Sequence, residues 1–136
     1  MQNISEDEVR RIARFAEAAG KARDVVLDKI RDVALRDAKP ARGEHDPAGA
    51  YGLNFLPVDH PDRVALREAI AGLTPEARQE LRALVWVGQG EYAVKEWADA
   101  VADAAAGSED IPADSFLDYP NLHECLTKGL YELRRH

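Results

Sequence analysis

The sequence predicts an all-α fold, a compact orthogonal bundle of about five to six helices. Three observations carry this. Apolar residues recur at steps of three and four along most of the chain, the period of one face of an α-helix. Alanine, leucine, arginine and glutamate are abundant while aromatics make up only 7%, a balance that favours helix over strand. Between the apolar stripes stand residues that start and stop helices: serine and threonine caps, proline in first turns, glycine after last turns. With 46% apolar and 32% charged residues in 136, one hydrophobic core is within reach, and residues 1–136 are expected to form a single helical domain.

Ser5-Glu6-Asp7-Glu8 opens the N-terminal amphipathic segment. Its spacing is that of a capping box, in which Ser5 accepts from the Glu8 amide and Glu8 reaches back. Val9, Ile12, Ala13, Ala16 and Ala19 form one stripe, and Val26, Ile30, Val33 and Ala34 continue it beyond Gly20. Arg23 interrupts the pattern. The stripe fits one helix over residues 5–38, at a cost of about 1 kcal/mol for the glycine, or a helix pair broken at Gly20. Residues 39–58 carry Pro40, Pro47 and Pro57 with Gly43, Gly49 and Gly52, the signature of a long loop. Tyr51, Leu53, Phe55 and Leu56 place its second half against the core.

Residues 59–136 are read as the helical core. Asp59-His60-Pro61-Asp62 starts a helix that buries Leu66, Ala69, Ile70 and Leu73. Thr74 caps the next one, with Pro75 in its first turn and Ala77, Leu81, Leu84 and Val85 inward. Trp86 and Val87 make its last turn apolar all round, which predicts that protein surrounds it. Gly88-Gln89-Gly90 reads as the stop. Tyr92 to Ala105 follows with Val94, Trp97, Ala98, Val101, Ala102 and Ala105 on one side. Pro112 to Leu117 reads as a short helix that Tyr119-Pro120 breaks. A final helix from about Asn121 buries Leu122, Cys125, Leu126, Gly129, Leu130 and Leu133, with Arg134 and Arg135 suiting the C-terminal dipole.

Charge narrows the function. The chain carries −7, unevenly. Residues 1–42 hold ten Lys/Arg against eight Asp/Glu, and residues 43–136 hold eight against seventeen. Most of this surface repels a phosphate backbone, so no nucleic acid is expected. An acidic face with a long amphipathic stripe allows a homodimer or a basic protein partner. One cysteine, Cys125, excludes an internal disulfide and a cysteine-based zinc cluster. No secretory signal and no bilayer-spanning run is apparent, so the expected location is a reducing cytoplasm with no membrane contact.

Candidate chemistry is sparse, and each motif has a plainer reading. Gly88-x-Gly90 before a helix could cradle an anion on backbone amides, yet Glu91 puts a negative charge at that mouth, and a helix-to-helix turn is the commoner use of such glycines. Trp86, Tyr92, Trp97 and Tyr119 could line a small-molecule or peptide groove with Gly88 and Gly90, although aromatics more often build core. His45, Asp46, Asp59 and His60 flank the long loop and could hold a metal under it, with Tyr51 as a lid. The alternative is a helix cap at Asp59 or His60 and a solvated His45. His123 and Cys125 are two apart on a helix and so point about 200° apart, which denies them a nucleophile–base pairing. Cys125 shares its stripe with Leu122 and Leu126 and reads as a buried thiol. Arg10, Arg11 and Arg14 read as a solvated helix face that pairs with Glu6, Asp7 and Glu17, in preference to a nucleic-acid patch. No catalytic residue and no cofactor is assigned.

Leu73-Thr74, Glu80-Leu81, Ala83 through Glu91, Trp97-Ala98, Phe116-Leu117, Tyr119-Pro120, Leu122, Leu126 and Lys128-Gly129-Leu130 together carry a likeness. From Leu73 through Leu130 the chain resembles the bacterial family named domain of unknown function 3775. That family shows an aromatic, an aliphatic, Gly, Arg and Gly where this chain has Trp86-Val87-Gly88-Gln89-Gly90. Gln89 departs from the pattern, which weakens any role for a fixed cation there. The resemblance implies an all-helical fold and no activity. The expected function is a non-catalytic helical interaction or regulatory module, able to self-associate. The alternative is a metal- or small-molecule-binding enzyme or sensor with its site under the 39–58 loop.

Overall fold

A computed structural model describes residues 1–37, 52–107 and 110–135, with the side chains of 31–37 left aside. Tyr51, His45 and Asp46 therefore lie outside the described residues. Five α-helices are described: α1 (Glu6–Asp37), α2 (Pro61–Ala71), α3 (Pro75–Gln89), α4 (Trp97–Gly107) and α5 (Leu122–Arg135). Three 3-10 turns, Leu53–Phe55, Val94–Glu96 and Ala113–Asp118, join them. No strand occurs among the described residues.

The chain runs unbroken through Gly20, so α1 is one helix of 32 residues, about 48 Å long. Its start is the expected capping box: the Ser5 amide donates to Glu8 Oε1 and the Glu8 amide to Ser5 Oγ, both at 3.1 Å. Ile4 and Val9 flank that box and are both buried, the arrangement of a hydrophobic staple. Val9, Ile12, Ala13, Ala16 and Ala19 are all buried, as the stripe predicts. Arg23, which breaks the stripe in sequence, is itself buried and donates through Nη1 to the Pro120 carbonyl at 2.7 Å. Its stem continues the apolar face while its head finds a polar partner. Beyond it the expected stripe shifts. Leu27 is buried, whereas Ile30 is 52% exposed and Val25 53%. Val33 and Ala34 lie among the side chains left aside.

The helices pack in the spatial order α4–α3–α5–α1–α2. The last helix in sequence is thus the middle one in space. It runs antiparallel to α1, with Arg134 beside Glu6 and His123 beside Glu17. It is antiparallel to α3 as well, with Gly129 at Leu84 and Cys125 at Gly88. This is why α5 carries an apolar residue or glycine at nearly every third or fourth place: Leu122, Cys125, Leu126, Gly129 and Leu130 are all buried. Leu53 and Leu56 are buried too, so the end of the long loop lies on the core as expected.

Two elements differ from the sequence reading. Residues 94–96 form a 3-10 turn, and α4 begins only at Trp97. Its buried residues are Ala100 and Ala104, while Ala98 and Ala102 face out. In an alanine-rich helix every face is mildly apolar, so the pattern does not say which face packs. Residues 113–118 form a 3-10 turn instead of a short α-helix. It still buries Phe116 and Leu117, and Tyr119-Pro120 ends it as expected.

Candidate functional site

The meeting of α3 and α5 is built from missing side chains. A methyl group on Gly88 would stand 2.0 Å from the Cys125 carbonyl oxygen, and one on Gly129 would stand 2.4 Å from the Leu84 carbonyl oxygen. Neither distance is possible, so the two backbones approach as closely as they do only because both positions are glycine. The sequence reading took Gly88 as part of the stop of α3; the structure places it inside the helix, which runs to Gln89. The stop is Gly90 alone. It takes the left-handed conformation (φ 84°), and its amide and that of Glu91 close the last turn on the Val87 and Trp86 carbonyls.

Trp86, on the last turn, is partly exposed while Val87 is buried. The Trp86 indole stacks on Tyr92 with ring centroids 5.6 Å apart and 23° between planes. The Tyr92 hydroxyl donates to Asp103 on α4. That bond to a carboxylate, helped by partial burial, pushes the phenol up to about 12. Trp97 and Tyr119 are partly buried and pack against the core cluster. Gly90 and Tyr92 line a cleft of about 470 Å³ with Glu91, Glu96 and Glu132. Gly88, Trp86, Trp97 and Tyr119 are not in its wall. Of the six residues expected to line a groove, the structure brings two together at a cleft and stacks a third on one of them.

Of the suggested metal set, Asp59 and His60 are described. His60 caps α2, its Nδ1 accepting from the Asp62 amide at 3.2 Å. Asp59 is exposed. No group of three or more histidine, cysteine, aspartate or glutamate residues poised to hold a metal occurs among the described residues.

His123 points to α1, away from Cys125. Its Nδ1 meets the Ala13 carbonyl at 3.1 Å and its Nε2 the Glu17 carboxylate at 3.1 Å. The ring ties α5 to α1 through both of its nitrogens. Glu17 is held below the usual carboxylate range, first by its hydrogen bond from Lys21 and then by the charges of Lys21 and His123. Cys125 is buried against Gly88, and that burial pushes its thiol up. A thiol so placed is a poor nucleophile.

Glu80 is a buried carboxylate to which the sequence reading assigned no role. It is buried on α3, yet its oxygens accept from three successive backbone amides, Gln2 at 2.9 Å, Asn3 at 2.7 Å and Ile4 at 2.9 Å. Successive amides converging on one anion form a nest. It fixes the arm that leads into α1.

Between α1 and α5 runs an open groove of about 720 Å³. Val9 and Ala13 on α1 and Leu126 and Leu130 on α5 make its floor. Arg10 and Arg14 edge one side, Tyr131, Arg134 and Arg135 the other, and His123 stands in its wall. No carboxylate lines it among the described residues. Glu6 straddles its mouth, bound to Arg10 Nε at 3.1 Å and to Arg134 Nη1 at 3.2 Å.

A family profile described as "Protein of unknown function (DUF3775)" matches residues 63–134. The match takes in α3 and α4, nearly all of α2, and α5 up to Arg134. The chain belongs to this family. No curated protein and no solved structure matches it.

The DUF3775 region carries the whole α3–α5 crossing. Gly88 and Gly129 set its closeness, and Gly90 turns the chain so that Tyr92 returns onto Trp86. Glu80, in the same region, holds residues outside it. The DUF3775 match also ends on the α5 side of the groove, while α1 supplies the other side from before the match begins. A buried glutamate next to Leu81 in a helix pattern was the one available signal for the arm. Nothing in sequence pointed to the groove, because its two walls lie more than a hundred residues apart.

Proposed function

We propose that this chain is a non-catalytic helical module that acts by binding. The observation that carries the reading is the engagement of its reactive side chains in structure. Both His123 nitrogens are taken up by α1, and Cys125 is buried beneath Gly88. A general base needs a ring nitrogen turned toward a substrate and a nucleophile needs access. Both His123 nitrogens face α1 and Cys125 is buried. What these two residues leave for function, among the described residues, is surface. In this reading the five helices, with α1 between α5 and α2, form one scaffold within a single domain, and its exposed faces do the binding. The lone buried thiol accords with a reducing, cytoplasmic setting. No helix among the described residues is long and apolar enough to cross a membrane.

Self-association is a second reading with its own observation. Val25 and Ile30 on the distal half of α1 are both more than half exposed, and a second copy would cover them. Light scattering from low to high micromolar concentration distinguishes the two. A mass that doubles, and returns to the monomer in Val25→Lys/Ile30→Lys, supports pairing; a constant monomer mass removes it.

The binding reading is tested by a thermal-shift screen of metabolites and metal ions, with each hit followed by NMR of the compound. A hit should raise Tm, by about 2.7 kcal/mol of added stability at a hundredfold excess over Kd, and be recovered unchanged. Conversion of any hit, abolished by His123→Ala or Cys125→Ala, overturns the reading.

A further inference from the structure

We propose that the α1–α5 groove is a binding site for a small anionic amphiphile, a phosphate or carboxylate group on an aromatic or short acyl body. The site rests on the reading of the chain as a binding module and gives that module a ligand class.

The charge of the groove carries the first part. The chain as a whole is at −7, yet four arginines gather here and no carboxylate among the described residues lines the wall. Three of them are held. Glu6 bridges Arg10 and Arg134 across the mouth. Arg135 lies over the Tyr131 ring at 5.7 Å and pairs with Glu132 at 3.7 Å. Arg14 makes no ion pair or hydrogen bond among the described residues. In a chain with 25 acidic residues against 18 basic ones, a guanidinium without a carboxylate partner, among other cations, repels its surroundings until an anion arrives. A guanidinium fork matches phosphate and carboxylate geometry.

The shape carries the second part. From His123 to Arg134 the α5 wall spans about 16 Å. A volume of about 720 Å³ falls in the range of small-molecule sites, roughly 300–1,000 Å³. The apolar surface on offer is modest. Ala13 is 7% and Leu130 6% exposed, and the Tyr131 ring, 59% exposed, supplies the broad face. A docking helix needs pockets for several anchors along its length, and this floor is too well filled to provide them. A single flat or aliphatic body, lying from Arg14 toward Tyr131, needs no more than is there.

The test is calorimetric titration of the full chain with 1-naphthyl phosphate, inorganic phosphate and an oligoglutamate peptide. The expected result is saturable one-to-one binding of 1-naphthyl phosphate, at least tenfold tighter than inorganic phosphate. Arg14→Ala should weaken it tenfold or more. Arg11→Ala should leave it unchanged, because Arg11 lies over Phe15 and off the groove. Arg14 is exposed and unbonded, so its variant should melt as the wild type does. Absence of saturable binding overturns the site. So does equal weakening by Arg11→Ala, which would mean diffuse charge. Equal affinity for inorganic phosphate removes the apolar body, and Arg14-dependent binding of the peptide alone moves the occupant to a protein. Release of 1-naphthol, if it also depends on Arg14, would support the site while ending the non-catalytic reading.

Discussion

Helix α5 meets its two large neighbours in opposite ways. Against α3 it presents Gly129 and the backbone at Cys125, and the two helices meet glycine to carbonyl oxygen. Against α1 it presents His123, Tyr131, Arg134 and Arg135, and the two helices are joined at their rims over an open groove. The first contact is closed because side chains are absent. The second is open because the side chains there are long, charged and partly solvated. A contact of the first kind accepts no substitution and offers no room. A contact of the second kind tolerates change and leaves space for a ligand. The family match follows the first kind of contact and includes only one wall of the second.

The sharpest way to break the closed side is Gly88→Ala. Its methyl group would meet backbone at 2.0 Å, which no rotamer relieves, so α5 must move. The expected loss is about 3 kcal/mol or more, the upper end for overpacking, read from the urea midpoint. Gly129→Ala should cost nearly as much. Glu80→Gln comes next. It removes the charge from a buried acceptor of three amides and should cost about 2 kcal/mol. Hydrogen exchange should show the Asn3 and Ile4 amides losing protection before the α3 amides do.

Gly90→Ala separates packing from conformation. Nothing lies within 4 Å of the position a methyl group would take, but φ is +84°. The expected cost is about 1–2 kcal/mol, clearly less than at Gly88 two residues earlier. On the open side, His123→Ala loses contacts that are partly solvated, so the expected loss is about 0.5–1 kcal/mol, with the α3–α5 amides still fully protected. A large loss there would mean that the rims, and not the floor, hold α1 in place.

The smallest effect concerns Tyr92. Its phenol sits near 10 when unfolded and is pushed up to about 12 in the fold. Above pH 10 the unfolded state therefore binds fewer protons than the folded one, and stability falls as pH rises from 10 toward 12. At neutral pH the phenol is protonated in both states and the exposed bond to Asp103 makes only a small contribution. Tyrosine absorbance should show one group ionising near pH 12, and Tyr92→Phe should remove it with little change in stability at pH 7.

Much of this was legible in residue order. The Ser5–Glu8 box, the Thr74 cap with Pro75, the stripes of α3 and α5 and the turn at Gly90 are local matters, set by atoms within about four residues of one another. The distal stripe of α1 and the packed face of α4 were not. Ile30 is apolar but finds no cover among the described residues, and Ala98 and Ala102 are apolar enough to pack yet face out.

By itself, the sequence determined that this protein is helical, where most helices begin and end, and which side of α3 and α5 turns inward. These follow from backbone hydrogen bonding and the 3.6-residue period, which act over one or two turns. Only the tertiary structure decided that α5 lies between α3 and α1, that Gly88 is a contact and not a stop, that Glu80 grips the N-terminal arm, and that arginines from both ends of the chain share a groove. Those depend on pairs some 40 to 130 residues apart, and no local pattern records which distant residue fills a given space.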